Sequence, residues 1–287
     1  MSESAVTKMP RIKESRDGRD WTKHLLILAI LALEFLPFYM MLQISVKDNQ
    51  TFLTNTWLPS PPNTWLWSNY AHAIGLILPY VANTVVVAVT STLAGLALAL
   101  CGAYFFARYR MPFSGILWSA LLVLMLLPGV ANIVPLFALL KSFDLLNTLW
   151  ALILLGITGA QVFSIFVFRN FIEEIPRDLF EAAEIDGASH FQQLINVVIP
   201  MSGPIIGTLA ILQFLGNWND FLMPLIVLRD PELFTLGVGL IYLDGEYIKQ
   251  WGQIMAAFFI ASVPLIIIFL FTMKLFVRGL SSGALKG

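Results

Sequence analysis

Of 287 residues, 58% are hydrophobic and only 12% are charged, with a formal net charge of −1. Soluble domains carry about a quarter charged residues, so this is an integral membrane protein, and no basic cluster offers a face for nucleic acid. The single cysteine, Cys101, lies in an apolar run, and His24, His72 and His190 lack the i, i+4 spacing of a zinc-binding helix; a disulfide framework and a legible metal site are both excluded.

In chain order, residues 1–23 read as a polar, mixed-charge tail with an anchoring role and 24–287 as the membrane domain. The first predicted span, 24–46, carries only Glu34 and is too long for a cleavable signal peptide. Glu34 reads either as a proton-relay carboxylate or as a group bonded to a neighbouring helix and held protonated by desolvation. The outer loop from about Ser45 to Gly75 sets Trp57, Trp65, Trp67 and Tyr70 around Pro59, Pro61 and Pro62. Such tryptophans form an interfacial belt or touch an external partner.

Charge-free runs at 76–107, 111–140, 145–168 and 250–273 each exceed the length needed to cross a bilayer. The remaining span, 201–228, fifth in chain order, carries only Asp220, which gives an all-α polytopic fold with six transmembrane helices. Pro128-Gly129 and Pro135 interrupt the third span, and Gly216 and Pro224 punctuate the fifth, as hinges or as static kinks. Gln161 and Gln213 read as polar glue between helices. The 229–253 loop is acidic and polar.

Lysine and arginine placement sets the orientation. Lys8, Arg11, Lys13, Arg16, Arg19, Lys23, Arg108, Arg110, Arg169, Arg177, Lys274, Arg278 and Lys286 fall on one side, thirteen against Lys47, Lys141, Arg229 and Lys249 on the other. Both termini are therefore expected to be cytoplasmic, as is the polar loop at about 172–200 between spans four and five.

That loop reads as two short docking helices. Pro176 sits at the first turn of one helix, which presents Leu179, Ala182 and Ala183 on one face and turns Glu181 and Glu184 to solvent. Asp186-Gly187 stops it, because glycine takes a left-handed cap cheaply. Ser189 and Gln192 fit a capping box that starts the second helix, and Pro200 closes it. Glu181 serves either to pair with a basic residue on a partner or to cap the positive end of its own helix. Ala182, Ala183 and Ala188 suit close approach of a partner backbone, or are simply good helix formers.

The pattern E-A-A-x-x-D-G-A from Glu181 to Ala188, with Ile199-Pro200 nine residues after His190, resembles the signature loop of permease subunits of binding-protein-dependent ABC importers. Asn217-Trp218-Asn219-Asp220-Phe221 and the ending Arg278 to Gly287 resemble the carbohydrate branch, most closely the second permease of maltose-type systems. The resemblance implies that the loop inserts into a cleft of an ATP-hydrolysing subunit, with Glu181, Ala182, Ala183, Asp186, Gly187, Ala188 and Pro200 as coupling residues. It further implies a second homologous permease, two ABC ATPase subunits that hold ATP and Mg, an extracytoplasmic solute-binding protein lying over the 229–253 loop, a sugar substrate and a bacterial inner membrane. No cofactor is expected in this chain, since no G-x-x-x-x-G-K-[ST] run occurs and the G-x-G at Gly237 and Gly239 has Tyr242 where a third glycine belongs.

Asn217, Trp218, Asn219 and Asp220 form a candidate translocation path. Trp218 would stack on a sugar face while the polar side chains bond hydroxyls; the alternative is that Asp220 holds a partner or a broken helix end. Two other functions compete. An ion-coupled secondary transporter would rest on Glu34 and Asp220 alone, and an intramembrane enzyme finds no nucleophile with a base.

Overall fold

The computed structural model describes residues 19–109, 112–126, 132–246 and 250–284, and among them every regular element is helical. Most of the tail (1–18), Pro128-Gly129, Arg110, Lys249 and Lys286 lie outside the described residues. The helices are α1 (Arg19–Ser45), α2 (Asn49–Thr54), α3 (Ser68–Arg108), α4 (Ser114–Leu124), α5 (Ile133–Ser142), α6 (Leu149–Gly159), α7 (Gln161–Glu174), α8 (Arg177–Ile185) and α9 (His190–Gln193). A π turn (Leu194–Val198) leads from α9 to α10 (Ile199–Met201), followed by α11 (Gly203–Trp218), α12 (Leu222–Val227), α13 (Leu236–Glu246) and α14 (Trp251–Ala284).

Four helical stretches are long and apolar enough to cross a bilayer: Trp21–Ser45, Ser68–Arg108, Leu149–Glu174 and Trp251–Leu270. They coincide with four of the six expected spans. The other two differ from an uninterrupted helix. The stretch 111–140 is divided between α4 and α5, on either side of undescribed residues. The stretch 201–228 joins a bent pair, His190–Met201 and Gly203–Val227, at 82°. The bend falls at Ser202, where Pro204 in the first turn of α11 has no N–H to continue the preceding ladder. Neither Gly216 nor Pro224 breaks a helix: Gly216 lies inside α11 and Pro224 in the first turn of α12. Pro135, too, is accommodated in the first turn of α5.

The central element is α3, against which α6, α7, α11, α13 and α14 all pack. Its sequence explains this role. Ala88, Ser91, Gly95, Ala99 and Ala103 recur every three or four residues and are all buried, a small-residue stripe that lets neighbouring backbones approach closely. A side chain at Gly95 would collide with the Gln213 amide, and one at Gly156 of α6 would meet Ser91 Oγ at 2.6 Å and Asn217 Oδ1 at 2.7 Å. Two apolar clusters result. One gathers Ala73, Tyr80, Leu152, Trp218 and Val238; the other gathers Leu100, Phe168, Ile172, Phe180 and Val198.

By contrast, α1 buries none of its apolar window within the chain and packs mainly on α14. Glu34 is exposed there and not enclosed between helices. Within the expected 229–253 loop, Leu236, Val238 and Leu243 of α13 are buried in the first cluster, so this part is a packed helix.

Candidate functional site

The polar segment from Pro176 to Pro200 builds a compact knob. Pro176 is the N-cap of α8 and not its first helical residue. At the other end Gly187 has φ 77°, with Gly187 N donating to Glu184 O at 3.0 Å and Ala188 N to Ala183 O at 2.9 Å. These two bonds are the paired capping bonds of a Schellman motif. The capping box is complete: Gln192 N donates to Ser189 Oγ at 3.3 Å and Ser189 N to Gln192 Oε1 at 2.7 Å. Both reversals are therefore fixed by hydrogen bonds.

The helix α8 is anchored by a residue outside the expected Leu179–Ala182–Ala183 face. Leu179 and Ala182 are exposed, and the buried anchor is Phe180, at 0% exposure. Its ring lies 3.9 Å beneath the Arg108 guanidinium at the end of α3, and Arg108 Nη2 stands 3.9 Å from Glu184 Oε1. A second latch joins α9 to α3. The Tyr104 hydroxyl donates to Gln193 Oε1 at 3.0 Å and lies 3.0 Å from His190 Nδ1, while the Tyr109 ring lies 4.6 Å from the His190 ring. These latch residues escaped sequence reading, though Phe180, the one aromatic residue of α8, was a signal for an anchor. The second helix does not end at Pro200; the chain continues helical through Met201 and turns at Ser202.

Outward, the knob presents Glu181, Ala182, Asp186 and Gly187, with Ile185 at 86% exposure and Phe191 at 69%. Ala183 and Ala188 are half-buried, and Pro200 is exposed. Apolar side chains on a rigid, acid-rimmed projection suit insertion into a protein cleft.

The second feature is a cavity of about 830 Å³ among α5, α6, α7, α11 and α12. Leu209, Leu212, Gln213, Gly216, Asn217 and Asp220 face it in a helical stripe, opposite Asn132, Thr158 and Ser164. Of the expected path residues, Asn217 and Asp220 line the cavity. Trp218 is buried and packs on Phe214 at 5.5 Å, and Asn219 turns back to Leu215 O at 2.9 Å, so neither wall position is theirs.

Asp220 also holds a broken helix end: its Oδ1 accepts from Met223 N at 3.3 Å, capping α12 after α11 stops. Gln213 Nε2 donates to Ser91 O at 3.3 Å and Gly156 O at 3.2 Å, whereas its buried Oε1 has no partner. Gln161 bridges to Gly95 O and Ile157 O, each at 2.8 Å. The cavity thus combines apolar walls with amide, hydroxyl and carboxylate groups, as small-molecule sites do. Among the described residues no group of histidine, cysteine and carboxylates could hold a metal ion.

Residues 91–282 match a family model described as "Binding-protein-dependent transport system inner membrane component". The trehalose/maltose transport system permease protein of Thermococcus litoralis is 31% identical over 269 residues, 91% of this chain and 94% of that one. The diacetylchitobiose uptake system permease protein of Streptomyces coelicolor is 30% identical over 284 residues, 97% and 93% of the two chains. Among solved structures, a bacterial ABC transporter involved in import of the acidic polysaccharide alginate has a chain that superposes with TM-score 0.80 at 21% identity, covering 93% of this chain and 99% of that chain.

Proposed function

Because the chain belongs to the family of binding-protein-dependent transport system inner membrane components, we propose that it is the permease subunit of an ATP-driven importer that moves a sugar or oligosaccharide delivered by a solute-binding protein. The observation that carries this reading is the knob: two capped helices, rigid in themselves, latched to the end of α3 and exposing Ile185 and Phe191. The sugar class is supported by relatives named for trehalose/maltose and diacetylchitobiose transport, and by the mixed polar and apolar lining of the membrane cavity.

In this reading both termini and the knob are cytoplasmic and the membrane is the bacterial inner membrane, crossed six times if α4 with α5 and the bent pair each complete a span. ATP and Mg stay on two partner ATPases. Their closure displaces the knob, and the Arg108–Phe180 and Tyr104–Gln193 contacts hand that displacement to α3, the helix on which the other spans pack. A second permease of similar fold supplies the other wall of the path. Glu181, Ala182, Ala183, Asp186, Gly187, Ala188 and Pro200 form the coupling surface; Asn217 and Asp220, joined by Gln213, contact the sugar. Ligand-loaded binding protein and ATP must both favour one conformation for import to be directional.

The test is affinity purification of the tagged chain from its native membrane in mild detergent, followed by uptake assays in proteoliposomes. Recovery of a P-loop ATPase and a second permease with ATP-dependent sugar uptake is the expected result. The variant Glu181→Lys should assemble yet hydrolyse ATP without transport. A chain that comes out alone and drives uptake without ATP overturns the proposal.

A further inference from the structure

Four cations fall on the outer side in the orientation just proposed: Lys47, Lys141, Arg229 and Lys249. Lys47 is buried, with Nζ donating to Asn55 O at 2.6 Å and Leu58 O at 2.7 Å, and Lys249 lies outside the described residues. The remaining two, Lys141 and Arg229, are far apart in sequence, yet both line a single cavity of about 380 Å³ with Phe137, Leu146 and Asn147. No carboxylate lines it, and among the described residues no ion pair joins Lys141 or Arg229 to an acid.

The backbone that carries Arg229 is fixed against the turn after α5. Asn147 sits at φ 59° in the turn between α5 and α6, and its N–H donates to Val227 O at 2.9 Å. Its Oδ1 accepts from Arg229 N at 2.8 Å and Asp230 N at 3.0 Å, and its Nδ2 donates to Asp230 Oδ2 at 2.7 Å. This cross-link ties the chain after α12 to the chain after α5, and it engages the carboxylate neighbouring Arg229 in sequence. Two exposed cations are thus set around one concavity without a counter-charge on its walls, in a volume within the roughly 300–1,000 Å³ range of small-molecule sites. Helix α5 is shared with the membrane cavity, because Ile133 and Leu136 line the larger space while Phe137 and Lys141 line this one.

From this geometry we infer that the outer cavity is a receiving subsite for an anionic sugar unit, the chemistry common to a uronate and a sugar phosphate. Arg229 and Lys141 bind the anion, with charge-assisted hydrogen bonds from a guanidinium suited to two oxygens at once. Phe137 and Leu146 face the C–H side of the ring. The concave, aromatic-lined form and the wall shared with the membrane cavity favour a sugar over an acidic side chain of a docked protein, which would need only a charged rim. The inference rests on the sugar-import reading and its orientation, and it adds a charge preference.

The test uses the purified complex in lipid nanodiscs, with saturation-transfer NMR on galacturonate, galactose 6-phosphate and galactose. Both anionic probes, or one of them, should bind more tightly than galactose, and raising salt from about 50 to 500 mM should erase the preference. The double variant Lys141→Gln with Arg229→Gln should weaken anion binding by at least about tenfold, the scale of losing even one of its two charge-assisted contacts, and leave galactose unchanged. The charge-keeping pair Lys141→Arg with Arg229→Lys should retain the preference, which separates lost charge from lost folding. The stronger of the two anions identifies carboxylate or phosphate. Equal binding of all three probes overturns the inference, as does a double variant whose defect is weaker docking of the binding protein with sugar binding intact. Direct binding reads independently of ATP, so failure of the importer reading would show separately, as absent ATP-dependent uptake in the unaltered complex.

Discussion

Gly187 shows how one residue joins local structure to function. Its φ of 77° costs a non-glycine residue roughly 1–2 kcal/mol, more if β-branched. The variant Gly187→Val should therefore leave membrane insertion intact while the knob opens to protease, and ATP hydrolysis should lose its link to uptake. Phe180 is the complementary case. Truncation to alanine empties a fully buried site, with an expected loss of about 3 kcal/mol, read as faster amide exchange across α8 and α9. Lys47, counted in the sequence only as an outer charge, holds the outer loop from within. Burial lowers its pKa, so between that lowered value and the ordinary lysine value of about 10.4 the unfolded loop binds more protons than the folded one. The stabilising effect is complete above the ordinary value and is lost as pH falls through the lowered one. Amide protection across residues 46–67 should accordingly rise as pH is raised towards that ordinary value. The variant Lys47→Met should reduce it by on the order of 1–2 kcal/mol at neutral pH, since two carbonyls lose their donor.

At the scale of elements, the knob was the most legible part of the chain because its determinants are local. Glycine conformation and the capping box both act within a few residues, and they appear where expected. The inward anchor of α8 was not legible, because short-range spacing cannot say which turn meets Arg108, a residue more than seventy positions earlier. The break after Trp218 was likewise displaced: glycine and proline drew attention to Gly216 and Pro224, whereas the chain breaks between them, where Asp220 caps α12. Close approach of α6 to α3 and α11 depends on Gly156. A Gly156→Leu variant should wedge these helices apart and abolish uptake, with binding of the knob to the ATPase subunit retained. Loss of both together would mean that the whole bundle has collapsed.

For the whole molecule, orientation is the claim to check directly. In a Cys101→Ser background, a cysteine at Ile185, which projects from the knob, should react with an impermeant maleimide only in inside-out vesicles. A cysteine at the exposed Leu53 of α2 should react only in right-side-out cells. Reversal of either result overturns the cytoplasmic placement of the knob. If the proposed second permease is present, the bare apolar surface of α1 faces either it or lipid, and cross-linking from Leu33 distinguishes the two.

Composition and charge-free runs determined by themselves that this is a helical membrane protein, because burying backbone in hydrocarbon leaves helices as the economical solution for long apolar segments. The capped knob followed from local rules in the same way. What tertiary structure decided is everything that depends on residues distant in sequence meeting: the latch of Tyr104 and Arg108 on α8 and α9, the cavity shared by Gln213, Asn217 and Asp220, the burial of Lys47, and the convergence of Lys141 and Arg229. Hydropathy reports whether a segment is apolar, not which of its faces meets a neighbour; small-residue packing around α3 sets that choice.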